Sequence, residues 1–212
     1  MSDSTSIYLI RHGETASNVE GRFRGRADIP LSENGVLQSI ALGESLRNIP
    51  LTAIYSSPLA RSIQTADQLA CGRNLDVMPH PKFQNIDLGE WTDRPRNEIM
   101  EKYPAMWKRW ITEPEDMTLP GGESVMDVQR RCGEGVRNLV QIHRGESIAV
   151  VSHRAVLKPL IADIIGIVKP FFWKLHLDTA GWSLVEYSPE LGFKLIHFNI
   201  VDHINELTLE AV

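Results

Sequence analysis

Two histidines of this chain stand in the same local setting. IYLI (7–10) runs into Arg11-His12-Gly13, and IAVV (148–151) runs into Ser152-His153-Arg154. A short continuous apolar run bounded by polar and glycine residues reads as a strand buried on both faces. The carboxyl end of such a strand is where an open α/β sheet holds its ligands. One histidine at a strand mouth is most often incidental or structural. Two of them, each with an arginine beside it, favour a shared site. A third element is YSSPLARSIQTA (55–66), in which Pro58 is expected to open a helix. Arg61 then falls in the first turn, where a cation is usually unwelcome; it is either an exposed arginine turned into water or, together with the helix start, faces an anion. Arg22, Arg24 and Arg26 add charge in the loop after the first strand, and Arg24 and Gly25 of that loop are assigned to substrate binding. Guanidinium groups match phosphate oxygens two at a time and neutralise their charge. Neutral imidazole is a competent nucleophile. The chemistry this set suits is phosphoryl transfer through a phosphohistidine.

Groups so far apart in sequence need elements that bring them together. LSENGVLQSIALGESLRNIP (31–50) has the spacing of an amphipathic helix, with Ser32 as N-cap and Leu37, Ile40, Ala41 and Leu46 as its apolar positions. AIYSS (53–57) and LDVMPH (75–80) read as strands on either side of the helix PLARSIQTADQLA. Residues 92–123 are an excursion with several prolines, Trp107, Trp110 and Gly121-Gly122, expected to be helical over EIMEKYPAMWKRW (98–110). A helix over 124–142, the strand SIAVVSH, a helix over VLKPLIADIIG, and two strands, WSLVEY and FKLIHF, joined by the turn SPELG complete the pattern. The βαβα order predicts an α/β fold, a three-layer α/β/α sandwich with a mostly parallel central sheet. The expected organisation is one domain over 1–212, with 92–123 as a cap.

The chain has 212 residues, 42% hydrophobic and 23% charged, which suits one compact soluble domain. A net charge of -5 gives a nucleic-acid partner no global electrostatic support. No apolar stretch approaches the roughly 18 residues of a membrane span, and MSDSTS lacks the apolar core of a signal peptide. Cys71 and Cys132 lack metal-site spacing and are expected to be buried thiols of a reduced, cytoplasmic protein. His80, His143, His176 and His197 have no motif partner, and no metal-ligand constellation is visible. Neither a metal nor a cofactor is expected.

LIRHGETASN, SSPLARSIQTA and VVSHRA, in this order and spacing, resemble the three signature blocks of the histidine phosphatase superfamily, the phosphoglycerate mutase-like fold. FNIVDHI is similar to the family's terminal segment, and His203 within it is expected nearer the site. The resemblance implies that His12 is the nucleophile and that Arg11 and Arg61 clamp the phosphate with Asn18 beside them. It also implies that His153 stabilises the transferring oxygens. IDLGEW and the length of the following excursion are similar to the phosphatase branch, which includes metal-independent phosphoserine phosphatases. The implied partner is a small phosphorylated metabolite. A mutase differs by transferring the phosphate rather than releasing it. Relatives in this family are often dimers, and the sequence leaves the oligomeric state open.

One position departs from the family pattern. The general acid normally comes from the glutamate of a segment written roughly L-R-E-I-D-F-G-E-W. Here Phe83-Gln84-Asn85-Ile86-Asp87-Leu88-Gly89-Glu90-Trp91 puts Asn85 in that slot. An amide donates a hydrogen bond but transfers no useful proton, and a lost general acid costs about 10²- to 10⁴-fold in rate. If the segment is extended, Asp87 lies on the same side as Asn85 and is the first substitute. Glu90 follows, and Glu14, assigned to substrate binding because its block position usually has another role, is a weaker substitute. Two other readings are a substrate with a good leaving group and a weakened, phosphoester-binding protein. Arg154 stands where the family often has a small residue; it is either a surface residue at a helix start or a contact to a second anionic group.

Overall fold

The computed structural model describes residues 4–208. In chain order the elements are β1 (Thr5–Arg11), α1 (Ala16–Val19), β2 (Arg22–Phe23), α2 (Glu33–Ser45), β3 (Leu51–Ser56), α3 (Ala60–Ala70), β4 (Val77–Pro79), β5 (Arg94–Pro95), α4 (Arg96–Lys102), α5 (Pro104–Thr112), α6 (Val125–Ile142), β6 (Ser147–Ser152), α7 (Arg154–Ile164), β7 (Trp182–Ser188) and β8 (Gly192–Ile200). The main sheet runs β4-β3-β6-β1-β7-β8. Its first four strands are parallel, and β7 and β8 close the other side as an antiparallel hairpin. The fold is α/β with a mostly parallel central sheet.

The apolar runs of β1 and β6 are continuous because both faces of the sheet are covered. Ile7, Leu9, Ile148 and Val150 belong to a core shared with Val136 and Leu139 of α6 and Val156 and Leu160 of α7. The alternate residues Tyr8, Ile10, Ala149 and Val151 pack with Leu42 of α2 and Ala66 and Leu69 of α3. That is the three-layer arrangement, with two helices on each side.

Local chemistry sets the helix limits. Ser32 Oγ accepts the Gly35 N–H and caps α2. Ser124 and Asp127 form a reciprocal capping box at the start of α6.

Four details differ from the sequence expectations. Leu37 and Ile40 of α2 are exposed (65% and 44%), and the inward stripe is Gly35, Gln38, Ser39 and Leu42. The same helical spacing fits both sets, but this helix packs against polar backbone of the loop after β1 rather than against the sheet alone. Helix α3 begins at Ala60, with Leu59 as N-cap, so Pro58 precedes the helix rather than opening it. The helix foreseen over 98–110 is two, α4 and α5, because Pro104 lacks an N–H and pushes Tyr103 out of helical geometry. Cys132 is buried, whereas Cys71, just past α3, is exposed.

Candidate active site

The pairing of β1 with β6 explains why two distant histidines meet. The strands are parallel and in register, with Arg11 opposite Ser152, so the next residues, His12 and His153, emerge side by side. Their ring centroids are 5.1 Å apart, edge to face, and both residues are almost fully buried. The His12 backbone is held from both sides: its N–H donates to Ser152 C=O (2.9 Å) and its C=O accepts from Ala180 N–H (3.1 Å). His203 is one step removed, with Nε2 3.1 Å from the Ala180 carbonyl.

The hydrogen bonds assign the tautomer of each ring. Nδ1 of His12 lies 2.6 Å from Gly13 C=O, which can only accept, so Nδ1 carries the proton and Nε2 keeps its lone pair. Nδ1 of His153 faces the donating Nε of Arg61 at 3.3 Å, and its Nε2 lies 2.7 Å from Ser57 Oγ, so here Nε2 carries the proton. The His12 pKa is held well below the usual histidine value, first by burial and then by His153, Arg61, Arg24 and Arg11. The His153 pKa is also held well below it, by burial and then by Arg61, Arg24, Arg11 and Arg131. Both rings are therefore neutral near pH 7.

The loop after β1 is pinned by close packing. Gly13 N–H donates to Thr65 Oγ1 (3.0 Å), and Glu14 N–H donates to Gln38 Oε1 (3.0 Å). A Cβ on Gly35 would sit 2.0 Å from Glu14 O, and one on Gly13 would sit 2.5 Å from Gly35 O. Glycine at these two positions is what lets α2 reach the histidine loop.

His12 and His153 line a cavity of about 100 Å³ together with Arg11, Asn18, Arg24, Gly25, Asn85 and Arg154, so most of the residues named from sequence converge here. Asn18 Oδ1 accepts from both the N–H and the Oγ1 of Thr15, which turns its Nδ2 away; that donor is buried with no partner among the described residues. Arg24 donates to the same Thr15 hydroxyl (3.0 Å), so one threonine orients both groups. A buried unsatisfied donor among arginines is what an anion site requires.

Arg61 is placed differently. It is fully buried in the first turn of α3, and its guanidinium reaches His153, Ala27 C=O (2.8 Å) and Gly25 C=O (3.1 Å), without lining the cavity. Burial lowers its pKa to about 10, with Arg11 also lowering it and Asp28 acting against them, so it is still charged at neutral pH. These bonds tie His153 to the Gly25 turn.

The carboxylates do not converge. The segment around Asn85 is not an extended strand: 3₁₀ turns flank it at Pro81–Phe83 and Gly89–Trp91. Asp87 Oδ1 accepts the Gly89 N–H (2.9 Å) as an Asx turn, and its Oδ2 pairs with Arg26 (3.2 Å). Asp87 thus leaves the side on which Asn85 faces the cavity, and the pleat argument for it fails. Glu14 accepts from Ser32, Asn34 and Thr208. Glu90 is exposed and accepts from the Tyr103 hydroxyl. Asn85 itself donates Nδ2 to Gly25 C=O (2.8 Å), while Arg26 and Arg131 both donate to its backbone carbonyl (3.2 Å each). Among the described residues no group of three His, Cys, Asp or Glu side chains is gathered that could hold a metal ion.

Sequence reasoning did not single out Arg96, Phe172 and Trp173, which also line the cavity. They carry no motif and reach it only through the packing of the 92–123 excursion and the segment after α7.

Residues 7–200 match the histidine phosphatase superfamily (branch 1). The chain belongs to that superfamily. Phosphoserine phosphatase 1 of Hydrogenobacter thermophilus is 33% identical over 97% of each chain. Among solved structures, Bacillus stearothermophilus YhfR superposes with a TM-score of 0.91 at 32% identity, over 95% of this chain and 100% of that one. A mycobacterial glucosyl-3-phosphoglycerate phosphatase superposes with a TM-score of 0.85 at 25% identity, over 92% and 99%. This histidine phosphatase is an enzyme of the phosphatase class, on the phosphoglycerate mutase-like fold. No helix among its described residues is long and apolar enough to cross a membrane.

Proposed function

We propose that this histidine phosphatase is a metal-independent phosphomonoesterase that hydrolyses a small phosphorylated metabolite through a phosphohistidine at His12. The observation that carries the reading is the His12 ring: neutral, its Nδ1–H tied to Gly13 C=O so that Nε2 keeps its lone pair, and its centroid 5.1 Å from that of His153 in an arginine-lined cavity. The Nε2 pair attacks phosphorus, and the phosphorus–oxygen bond breaks with its electrons going to the leaving oxygen. Charge on the transferring group is offset by Arg11, Arg24 and the Asn18 amide, with His153 beside them. Water then attacks the phosphoimidazolium, the phosphorus–nitrogen pair returns to Nε2, and dihydrogen phosphate departs with both protons of that water. Residues 92–123 act as the cap over the leaving group, and Arg154 meets a second anionic group of the substrate. The names of the related phosphatases, which refer to phosphoserine and a glucosyl phosphoglycerate, support a small phosphorylated substrate.

The test is rapid-quench mass spectrometry of the enzyme turning over p-nitrophenyl phosphate. An acid-labile phosphate adduct on the peptide holding His12 is expected, together with loss of phosphate release in His12→Ala. Turnover by His12→Ala at the wild-type rate would refute the mechanism. A phosphate found on an added acceptor, rather than free in solution, would make the enzyme a mutase.

A further inference from the structure

Five arginines line the cavity, Arg11, Arg22, Arg24, Arg96 and Arg154, and no aspartate or glutamate does among the described residues. The absence is enforced by partners, since Asp87 is committed to Arg26 and Gly89, and Glu14 to Ser32, Asn34 and Thr208. The side chain nearest to an acid in position is Asn85. Its Nδ2 is used by Gly25 C=O, which fixes the amide's orientation and leaves Oδ1, an acceptor, buried with no partner among the described residues. An acceptor there cannot protonate a departing oxygen.

The cavity lining is also rich in aromatic rings. Phe23, Trp107, Trp110, Phe172 and Trp173 are part of it. Phe23 meets Trp107 and Trp110 edge to face, with centroids 6.2 Å apart in each case, and Trp173 is fixed by an Nε1–H bond to Trp110 C=O (2.8 Å). The Arg96 guanidinium stacks on the Trp107 ring at 5.1 Å, and its Nε is buried with no partner among the described residues.

We infer that this site is built for an aryl phosphate monoester, a phosphate on a flat phenolic ring, and not for the phosphate of an aliphatic alcohol. The inference rests on the phosphohistidine reading and names its substrate class. An aliphatic alkoxide is about as basic as hydroxide, whose parent acid, bulk water, has a pKa of about 15.7, and it needs a proton as it leaves. A phenolate, with a parent pKa of about 10, departs without one. In the first step the His12 Nε2 pair forms the nitrogen–phosphorus bond, the phosphorus–oxygen pair passes to the phenolate oxygen, and the anion takes its proton from solvent water. Five guanidiniums favour the anionic leaving group, and the aromatic lining receives its ring.

The test compares kcat/KM of the purified full chain for p-nitrophenyl phosphate, phenyl phosphate, acetyl phosphate, O-phosphoserine and glycerol phosphate, read as phosphate release. The two aryl esters are expected to exceed the two alkyl esters by about 10²-fold or more, with p-nitrophenyl above phenyl phosphate. Asn85→Glu, which restores a carboxyl at the leaving oxygen, is expected to narrow that gap by at least about tenfold. Trp107→Ala is expected to lower the aryl-to-alkyl ratio by about tenfold through KM for the aryl esters. Wild-type turnover of O-phosphoserine within tenfold of phenyl phosphate would overturn the inference, yet leave His12 as nucleophile. Acetyl phosphate turned over faster than both aryl esters would overturn it too, since a good leaving group alone would then suffice. Failure of all five substrates would instead refute the phosphohistidine reading on which the inference rests.

Discussion

Acidification should unfold this protein through two buried histidines, His12 and His153, before its carboxylates titrate. His12 and His153 are buried and neutral, with pKa values well below 6.5 in the folded state. In the unfolded chain they return to about 6.5. Below that pH the unfolded state binds protons that the folded state refuses, so stability falls as pH falls. Each ring then contributes a loss that approaches about 1.4 kcal/mol per pH unit well below 6.5, and the two together lose about 2 kcal/mol between pH 6.5 and 5.5. In a chain of this size that is a drop of about 4–8 °C in melting temperature. Glu123 and Asp127 have lowered folded pKa values, so their contributions are present above about 4.5 and vanish only below it, outside this window. The assay is urea unfolding in phosphate-free buffer at pH 7.5, 6.5 and 5.5, for the wild type and for His12→Asn. Between pH 6.5 and 5.5 the variant should lose about 1 kcal/mol less than the wild type. His80 and His203, whose pKa values are also lowered by burial, are common to both proteins and cancel. Parallel loss in the two proteins, or no loss until below pH 4.5, would refute the assignment of neutral rings.

Arg61→Lys should lower kcat/KM about 10²-fold, because one ammonium cannot hold His153, Ala27 and Gly25 at once and the second histidine shifts; steady-state kinetics check this, and a change under threefold would count against it. Gly35→Ala should destabilise by about 1–3 kcal/mol, since its Cβ would sit 2.0 Å from the Glu14 carbonyl oxygen; chemical denaturation measures it. Asp87→Asn should cost less than about 1 kcal/mol, given a half-exposed pair with Arg26, and should change turnover less than tenfold; a loss as deep as that of His12→Ala would return the acid role to this carboxylate.

Much of the candidate site was legible in the sequence because the residues proposed for its chemistry are concentrated where strands end. Arg11-His12-Gly13 and Ser152-His153-Arg154 announce themselves by following apolar runs, and parallel in-register pairing of β1 with β6 turns that similarity into contact. The α/β architecture was legible for the same reason, since hydrophobic period and turn residues are local signals. The inward face of α2 was not, because Gly35, Gln38 and Ser39 owe their burial to a loop contributed from elsewhere in the chain.

The sequence by itself determined that two histidines and a set of arginines stand where strands and a helix begin or end, a set that suits a phosphoryl group, and its resemblance to the family put Asn85 in the slot of the usual acid. Only the tertiary structure decided which carboxylates could replace that acid, and it turned each candidate elsewhere: Asp87 to Arg26, Glu14 to Ser32 and Asn34, Glu90 to Tyr103. It also tied Arg61 to His153 and to the carbonyls of Gly25 and Ala27, and brought Arg96 and Trp173 to the cavity wall. The physical reason is that residue type and strand position are written locally, whereas the direction of a side chain depends on partners that arrive from distant segments.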